Sequence, residues 1–132
     1  RADFLSLVRN DIDVLFANED ELKSLYETAD FDEAVELLRR DCHIAAVTRS
    51  EKGSVIVTRD DVHEVPAAPV SQVVDTTGAG DLFAAGFLRG LTQGKDLTSC
   101  ARIGAIAAAE VISHVGPRPL VSLTSLLPAD LQ

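Results

Sequence analysis

The sequence of 132 residues is 46% hydrophobic and 25% charged, a globular composition that argues against disorder over most of its length. Its 12 basic and 21 acidic residues give a net charge of −9, which argues against nucleic acid or an anionic membrane surface as the main partner. No apolar run is long enough to span a bilayer, so no membrane segment is expected. Cys42 and Cys100 form no C-x-x-C pair, and we expect reduced thiols in a cytoplasmic protein.

The first half of the chain predicts buried strands that alternate with helices. Short apolar runs predict strands at residues 13–17, 44–48, 54–58 and 62–65, the last two joined as a hairpin. Apolar residues at helical spacing predict helices at 19–26 and 31–40, and the end of another helix at 1–9.

The second half predicts two helices that are rich in small residues. A Gly-rich turn at 77–80 precedes a helix at 79–91, and Asp96 is placed to cap a second helix at 97–115. Small side chains on both helices predict close packing between them. Alternating helices and buried strands indicate an α/β layered fold, with a mostly parallel sheet and helices on both faces.

The segment D-T-T-G-A-G-D at 75–81 carries the strongest chemical signal. It combines a glycine turn with a helix start, where backbone N–H groups lack partners and the helix dipole is positive. Such a turn suits a phosphoryl group and its charged transition state. Asp81 would stand in the first helical turn, where a carboxylate is placed to take a proton from an attacking hydroxyl. The alternative is that Asp81 only caps the helix or complements its dipole.

This segment, followed by L-F-A-A-G-F, resembles the C-terminal signature of the ribokinase-like (PfkB-type) carbohydrate and nucleoside kinases. The resemblance implies a layered α/β/α fold. It also implies that Asp81 is the catalytic base and that Gly78, Ala79 and Gly80 form an anion hole with their backbone N–H groups. A chance match to so long a pattern is the alternative.

Two further segments resemble the family's nucleotide-binding motifs, in the same order. Asn18-Glu19-Asp20-Glu21 is similar to an N-x-x-E motif, which implies that Asn18 contacts ATP and that Glu21 holds Mg²⁺ through water. The alternative is a helix cap. Residues 47–53 are similar to a V-T-x-G-x-x-G turn that lies against the ATP nucleoside, and they also predict a plain hairpin turn. The resemblance assigns this turn's nucleotide contacts to Thr48, Arg49, Ser50 and Gly53, with Ser50 standing where the family usually has glycine.

The remaining matches concern the nucleotide pocket and a monovalent cation. Residues 107–119 resemble the region that lines the pocket, which implies ATP contacts from His114 and Gly116, although His114 also suits a helix end. Thr77 is also implied in ATP binding. Asp75 and Thr77 match positions that hold an activating cation such as K⁺ in many members, and Asp75 alternatively braces the glycine turn.

The resemblance implies an ATP- and Mg²⁺-dependent kinase with a small alcohol substrate. Several stretches look most like bacterial adenosine-kinase-type members, with ribokinase or fructokinase activity as the leading alternative. A noncatalytic nucleotide-binding fragment and a structural interaction module are the other hypotheses.

The chain begins at Arg1 and contains no methionine. We therefore expect residues 1–132 to be the C-terminal nucleotide-binding and catalytic portion of a ribokinase-like domain, without the N-terminal half and its lid. Such a portion would expose a sheet edge. We expect this edge to pair with the missing half or to form a homodimer, and we expect little kinase activity from these residues alone.

Overall fold

The computed structural model describes residues 14–69, 78–112 and 127–132. Its strands are β1 (Val14–Asn18), β2 (Ile44–Thr48), β3 (Ser54–Thr58) and β4 (Val62–Val65). Its helices are α1 (Glu19–Leu25), α2 (Phe31–Asp41), α3 (Ala79–Thr92) and α4 (Leu97–Ile112), with 3₁₀ turns at Ser50–Lys52 and Ala129–Leu131. The predicted strands and helices in these ranges are confirmed to within one or two residues where both ends are described. The predicted helix at 1–9 and the stretch of the last helix past 112 lie outside the described residues.

The four strands form one sheet in the order β1-β2-β3-β4. Strands β1 and β2 are parallel, whereas β2 and β3 are antiparallel, and β3 and β4 form the predicted hairpin. The α/β fold is thus confirmed, and the described strands form a mixed sheet, in which β1 and β2 are parallel and β2 and β3 antiparallel. The cause is the link at residues 49–53, which is too short for the crossover of about a dozen residues that parallel strands require.

Contacts within the chain divide it into two compact units, residues 1–49 with 54–64 and residues 50–53 with 65–132. In the first unit, aliphatic side chains of α1 and α2 pack on one face of the sheet. Their core contains Leu15, Leu22, Ala34, Val35, Leu38, Cys42, Ala45, Val47, Val55 and Val57. Removing a fully buried aliphatic side chain from water stabilises a fold by about 1.5–3 kcal/mol, so this layer stabilises the packing of α1 and α2 on the sheet.

In the second unit, α3 and α4 pack through small residues, as predicted. A Cβ atom on Gly104 would lie 2.7 Å from the carbonyl oxygen of Phe83, and one on Gly86 would lie 2.9 Å from the Cα of Gly104. The helix backbones are therefore in direct contact. Asp96 caps α4 as predicted, because its Oδ1 accepts a hydrogen bond of 2.7 Å from the Ser99 N–H, which lowers the pKa of Asp96.

No helix in the described ranges is both long enough and apolar enough to cross a membrane.

Candidate functional site

The start of α3 is an uncapped helix terminus that opens on a left-handed glycine. Gly78 has φ +81° and ψ −1°, a conformation that costs glycine little because it has no Cβ. The first helical hydrogen bond runs from the Leu82 N–H to the Gly78 oxygen at 3.0 Å, and no side chain among the described residues accepts a capping hydrogen bond at this helix start. The N–H groups of residues 79–81 therefore lack acceptors within the helix and stand at the positive end of its dipole.

Two residues of the first turn of α3 are exposed. Gly80 is exposed, and a Cβ placed on it would meet nothing within 4 Å. Asp81 is also exposed and stands in the first turn. Backbone donors and a solvent-accessible carboxylate thus lie within one helical turn, which is the arrangement that phosphoryl transfer to a hydroxyl needs.

In the first unit, Asn18 and Glu21 form a capping box at the start of α1. Asn18 Oδ1 accepts from the Glu21 N–H at 2.8 Å, and Glu21 Oε1 accepts from the Asn18 N–H at 2.9 Å. The helix-cap alternative therefore describes their geometry, while Asn18 Nδ2 and Glu21 Oε2 take no part in the box. The described residues contain no group of three or more His, Cys, Asp or Glu side chains that could hold a metal ion. One exposed carboxylate oxygen fits Mg²⁺ held through its own waters and does not provide a cage of direct ligands.

Strand pairing brings Thr48 beside Asn18. The two residues are register partners at the carboxyl ends of the parallel strands β1 and β2. Ligands of open α/β sheets bind outside these strand ends. The two segments that resemble nucleotide-binding motifs are thus adjacent, although 30 residues separate them in sequence.

Arg49, which follows Thr48, is held by side chains that sequence reasoning missed as its partners. Arg49 Nε donates to Glu19 Oε1 at 2.6 Å, and its guanidinium carbon lies 3.9 Å from the centre of the Phe31 ring. Lys23 Nζ lies 3.0 Å from the other carboxylate oxygen of Glu19. Hydrogen bonds from Arg49 and Lys23 lower the pKa of Glu19 from 4.5 to about 2. Arg49 lies far from Glu19 and Phe31 in the sequence, so neither helical nor strand periodicity could predict that these side chains meet.

The turn at 50–53 belongs to the second unit, and its backbone conformation explains why glycine is favoured at positions 50 and 53. Ser50 has φ +54°, a left-handed conformation that glycine adopts more easily than serine does. Gly53 has φ +93°, and a Cβ on it would lie 2.1 Å from the Val65 oxygen, so no other residue fits there without a backbone shift. Asp75, Thr77, His114 and Gly116 lie outside the described residues.

Comparisons with known proteins assign the chain to a family. A profile of the pfkB family carbohydrate kinases matches residues 1–123. A cytidine kinase from Thermococcus kodakarensis is 35% identical over 119 residues, which cover 88% of this chain and 42% of that protein.

Solved structures agree. Adenosine kinase from Sinorhizobium meliloti aligns with TM-score 0.91 at 55% identity, over 94% of this chain and 38% of that one. Arabidopsis thaliana ribokinase, solved with ribose and ATP, aligns with TM-score 0.83 at 30% identity, over 92% of this chain and 41% of that one. The sequence thus spans about two fifths of the length of these relatives. The chain belongs to the pfkB family of carbohydrate kinases, as the resemblance of its motifs predicted.

Proposed function

We propose that the protein carrying this sequence is an ATP-dependent kinase that phosphorylates a hydroxyl of a nucleoside or sugar, with adenosine as the leading acceptor. One observation carries the proposal: the uncapped N–H groups at 79–81 and the exposed Asp81 share the first turn of α3. A carboxylate is a poor ligand for an anion but a suitable acceptor for the proton of a hydroxyl nucleophile. Membership of the pfkB family supports the same reaction.

In the proposed reaction, Asp81 accepts the proton of the acceptor hydroxyl. The hydroxyl oxygen then forms a bond to the γ-phosphorus of ATP as the bond between that phosphorus and the bridging oxygen of ADP breaks. The N–H groups of Gly78, Ala79 and Gly80 stabilise the negative charge on the phosphoryl oxygens during transfer. General-base catalysis contributes a factor of about 10²–10⁴ to such reactions.

Nucleotide binding is assigned to the two other motifs, residues 18–21 and 47–53. Asn18 and Thr48 are neighbours at the ends of two strands and offer an amide and a hydroxyl to phosphate. The turn from Ser50 to Gly53 is assigned to the nucleoside, and its backbone is left-handed at both Ser50 and Gly53.

Further ligands follow from the family resemblance. They are Thr77, His114 and Gly116 for ATP, Asp75 and Thr77 for K⁺, and Glu21 for Mg²⁺ through water. Bound Mg²⁺ would neutralise phosphate charge.

Adenosine is preferred as acceptor because the adenosine kinase from Sinorhizobium meliloti is 55% identical to this chain. Ribose-type sugars are the second candidate, supported by the match to a ribokinase at 30% identity. The residues that orient the acceptor are expected in the N-terminal half of the family's domain. We therefore expect little turnover from these 132 residues alone, because phosphoryl transfer requires both reactants to be positioned.

An acceptor screen tests the proposal. The protein that carries this sequence is incubated with ATP and Mg²⁺, and ADP formation is measured with adenosine, cytidine, ribose or fructose and without acceptor. We expect adenosine to give the highest kcat/KM. Turnover of ribose or fructose without turnover of adenosine would show that a sugar, and not adenosine, is the acceptor. If no alcohol gave acceptor-dependent ADP formation, the kinase proposal would be contradicted.

A further inference from the structure

We propose that Glu19, Arg49 and Phe31 form a positioning cluster that sets the affinity of the site for ATP without contacting ATP. The inference rests on the proposed function, because it concerns the nucleotide half of that site. It assigns a role to three side chains, of which Arg49 alone lies among the residues matched to the nucleotide motifs.

The cluster ties together the ends of two strands. Asn18 and Thr48 are register partners at the carboxyl ends of β1 and β2. Glu19 directly follows the first, and Arg49 directly follows the second. The hydrogen bond between Glu19 and Arg49 therefore closes across the strand ends, one residue beyond the pair that we assign to the nucleotide.

Arg49 is committed to this cluster by two different contacts. Its Nε donates to Glu19 at 2.6 Å, and its guanidinium carbon lies 3.9 Å from the centre of the Phe31 ring. The side chains of Arg49 and Glu19 are only 21% and 22% exposed. The Nε–H of Arg49 and one face of its guanidinium are thus already engaged by Glu19 and Phe31, which favours a positioning role over a binding role.

The cluster directly precedes the turn that follows β2. Arg49 is followed by Ser50, whose φ of +54° is unfavourable for a residue with a Cβ. Holding the Arg49 side chain fixes the residue from which this turn starts, and it holds Thr48 beside Asn18. The expected consequence is a preformed set of nucleotide-binding groups, which reduces the ordering that ATP must impose when it binds.

The charges around Glu19 keep the cluster intact under assay conditions. Its carboxylate lies between Arg49 Nε at 2.6 Å and Lys23 Nζ at 3.0 Å. Both cations hold the pKa of Glu19 at about 2, so the carboxylate stays ionised throughout the neutral range.

Steady-state kinetics of four variants test the proposal. They are E19Q, R49A, R49K and the double variant E19Q/R49A, made in the protein that carries this sequence. E19Q and R49A are each expected to raise KM for ATP about tenfold, with KM for the acceptor unchanged. The double variant is expected to resemble R49A, because both changes break one interaction. R49K keeps the charge but loses the planar group that stacks on Phe31, so an intermediate KM for ATP is expected.

The matched control is E36Q, which removes an exposed ion pair of 3.1 Å with Arg39 in the same unit. We expect it to leave both KM values unchanged. A large effect of R49A without an effect of E19Q would mean that Arg49 contacts ATP, and would overturn the proposal. Equal changes in both KM values, or the same changes in E36Q, would overturn it by indicating only a structural role.

Nucleotide binding separates this inference from the proposed function. Dissociation constants for ATP are measured by calorimetry on the same proteins. If the wild type binds ATP but transfers no phosphoryl group, the kinase proposal fails. The positioning proposal then holds only if E19Q and R49A both weaken ATP binding. If the wild type binds no ATP, both proposals fail.

Discussion

The two units of the chain differ in how they pack and in where their candidate groups come from: the first relies on side chains and the second on glycine and backbone groups. The first unit packs aliphatic side chains of two helices on a sheet, and the candidate groups proposed in it, Asn18, Glu19 and Arg49, are side chains. The second unit packs α3 against α4 through glycine, and the candidate groups proposed in it are the N–H groups at the start of α3.

This difference predicts opposite responses to mutation. The first unit depends on side-chain volume, so it should suffer when atoms are removed. The helix pair of the second unit depends on the absence of side chains, so it should suffer when atoms are added. Four substitutions, in order of decreasing expected effect, can break or sharpen this contrast.

The largest expected effect is that of Leu38→Ala in the first unit. Leu38 is fully buried between α2 and the sheet, and its truncation leaves a cavity. We expect the free energy of unfolding to fall by about 3 kcal/mol in denaturant titration. Leu38→Met is the control and should cost less than about 1.5 kcal/mol. A loss below 1 kcal/mol for the alanine variant would show that this layer does not depend on volume.

The second expected effect is that of Gly104→Ala in the helix pair. Alanine normally stabilises a helix by about 1 kcal/mol relative to glycine. Here its Cβ would lie 2.7 Å from the Phe83 oxygen, so we expect a net loss of about 2 kcal/mol. Gly80→Ala is the matched control, because nothing lies within 4 Å of its Cβ position, and it should not destabilise the protein. Stabilisation by Gly104→Ala would contradict the close helix contact.

The third expected effect is a gain. Ser50→Gly removes the strain of a left-handed serine at φ +54° and should raise the free energy of unfolding by about 1 kcal/mol. Ser24→Gly, an exposed position inside α1, makes the same chemical change in a right-handed helix. It should lower stability by about 0.5 kcal/mol. Thermal unfolding measures the stability of both variants, and a loss of stability in Ser50→Gly would contradict the left-handed conformation of Ser50.

The smallest expected effect is the pH dependence that Glu19 contributes. Its pKa is about 2 when folded and 4.5 ordinarily, so its stabilisation is present above pH 4.5 and is lost as the pH falls towards 2. Because the ion pair is partly exposed, we expect only about 0.5 kcal/mol between wild type and E19Q at pH 7. This difference should shrink at pH 3. A difference that stays constant between pH 7 and pH 3 would contradict the ionised pair.

The strands, the helices and the family could be predicted from the sequence because each depends on a short local pattern. Apolar runs located the strands, and D-T-T-G-A-G-D located the start of α3. The antiparallel pairing of β2 and β3 confirms the hairpin turn predicted between them, for which the shortness of residues 49–53 was the signal. The contact of Arg49 with Glu19 and Phe31 was not predictable, since it depends on the parallel register of β1 and β2.

The most direct test of the kinase proposal is the turnover of Asp81→Asn in the protein that carries this sequence. Asparagine keeps the size and the exposed first-turn position of Asp81 but accepts a proton poorly. We expect kcat with ATP and adenosine to fall by about 10²–10⁴, while the thermal midpoint and the affinity for ATP remain close to those of the wild type. Retention of kcat within about threefold, a free-energy change below 1 kcal/mol, would contradict the assignment of Asp81 as the base.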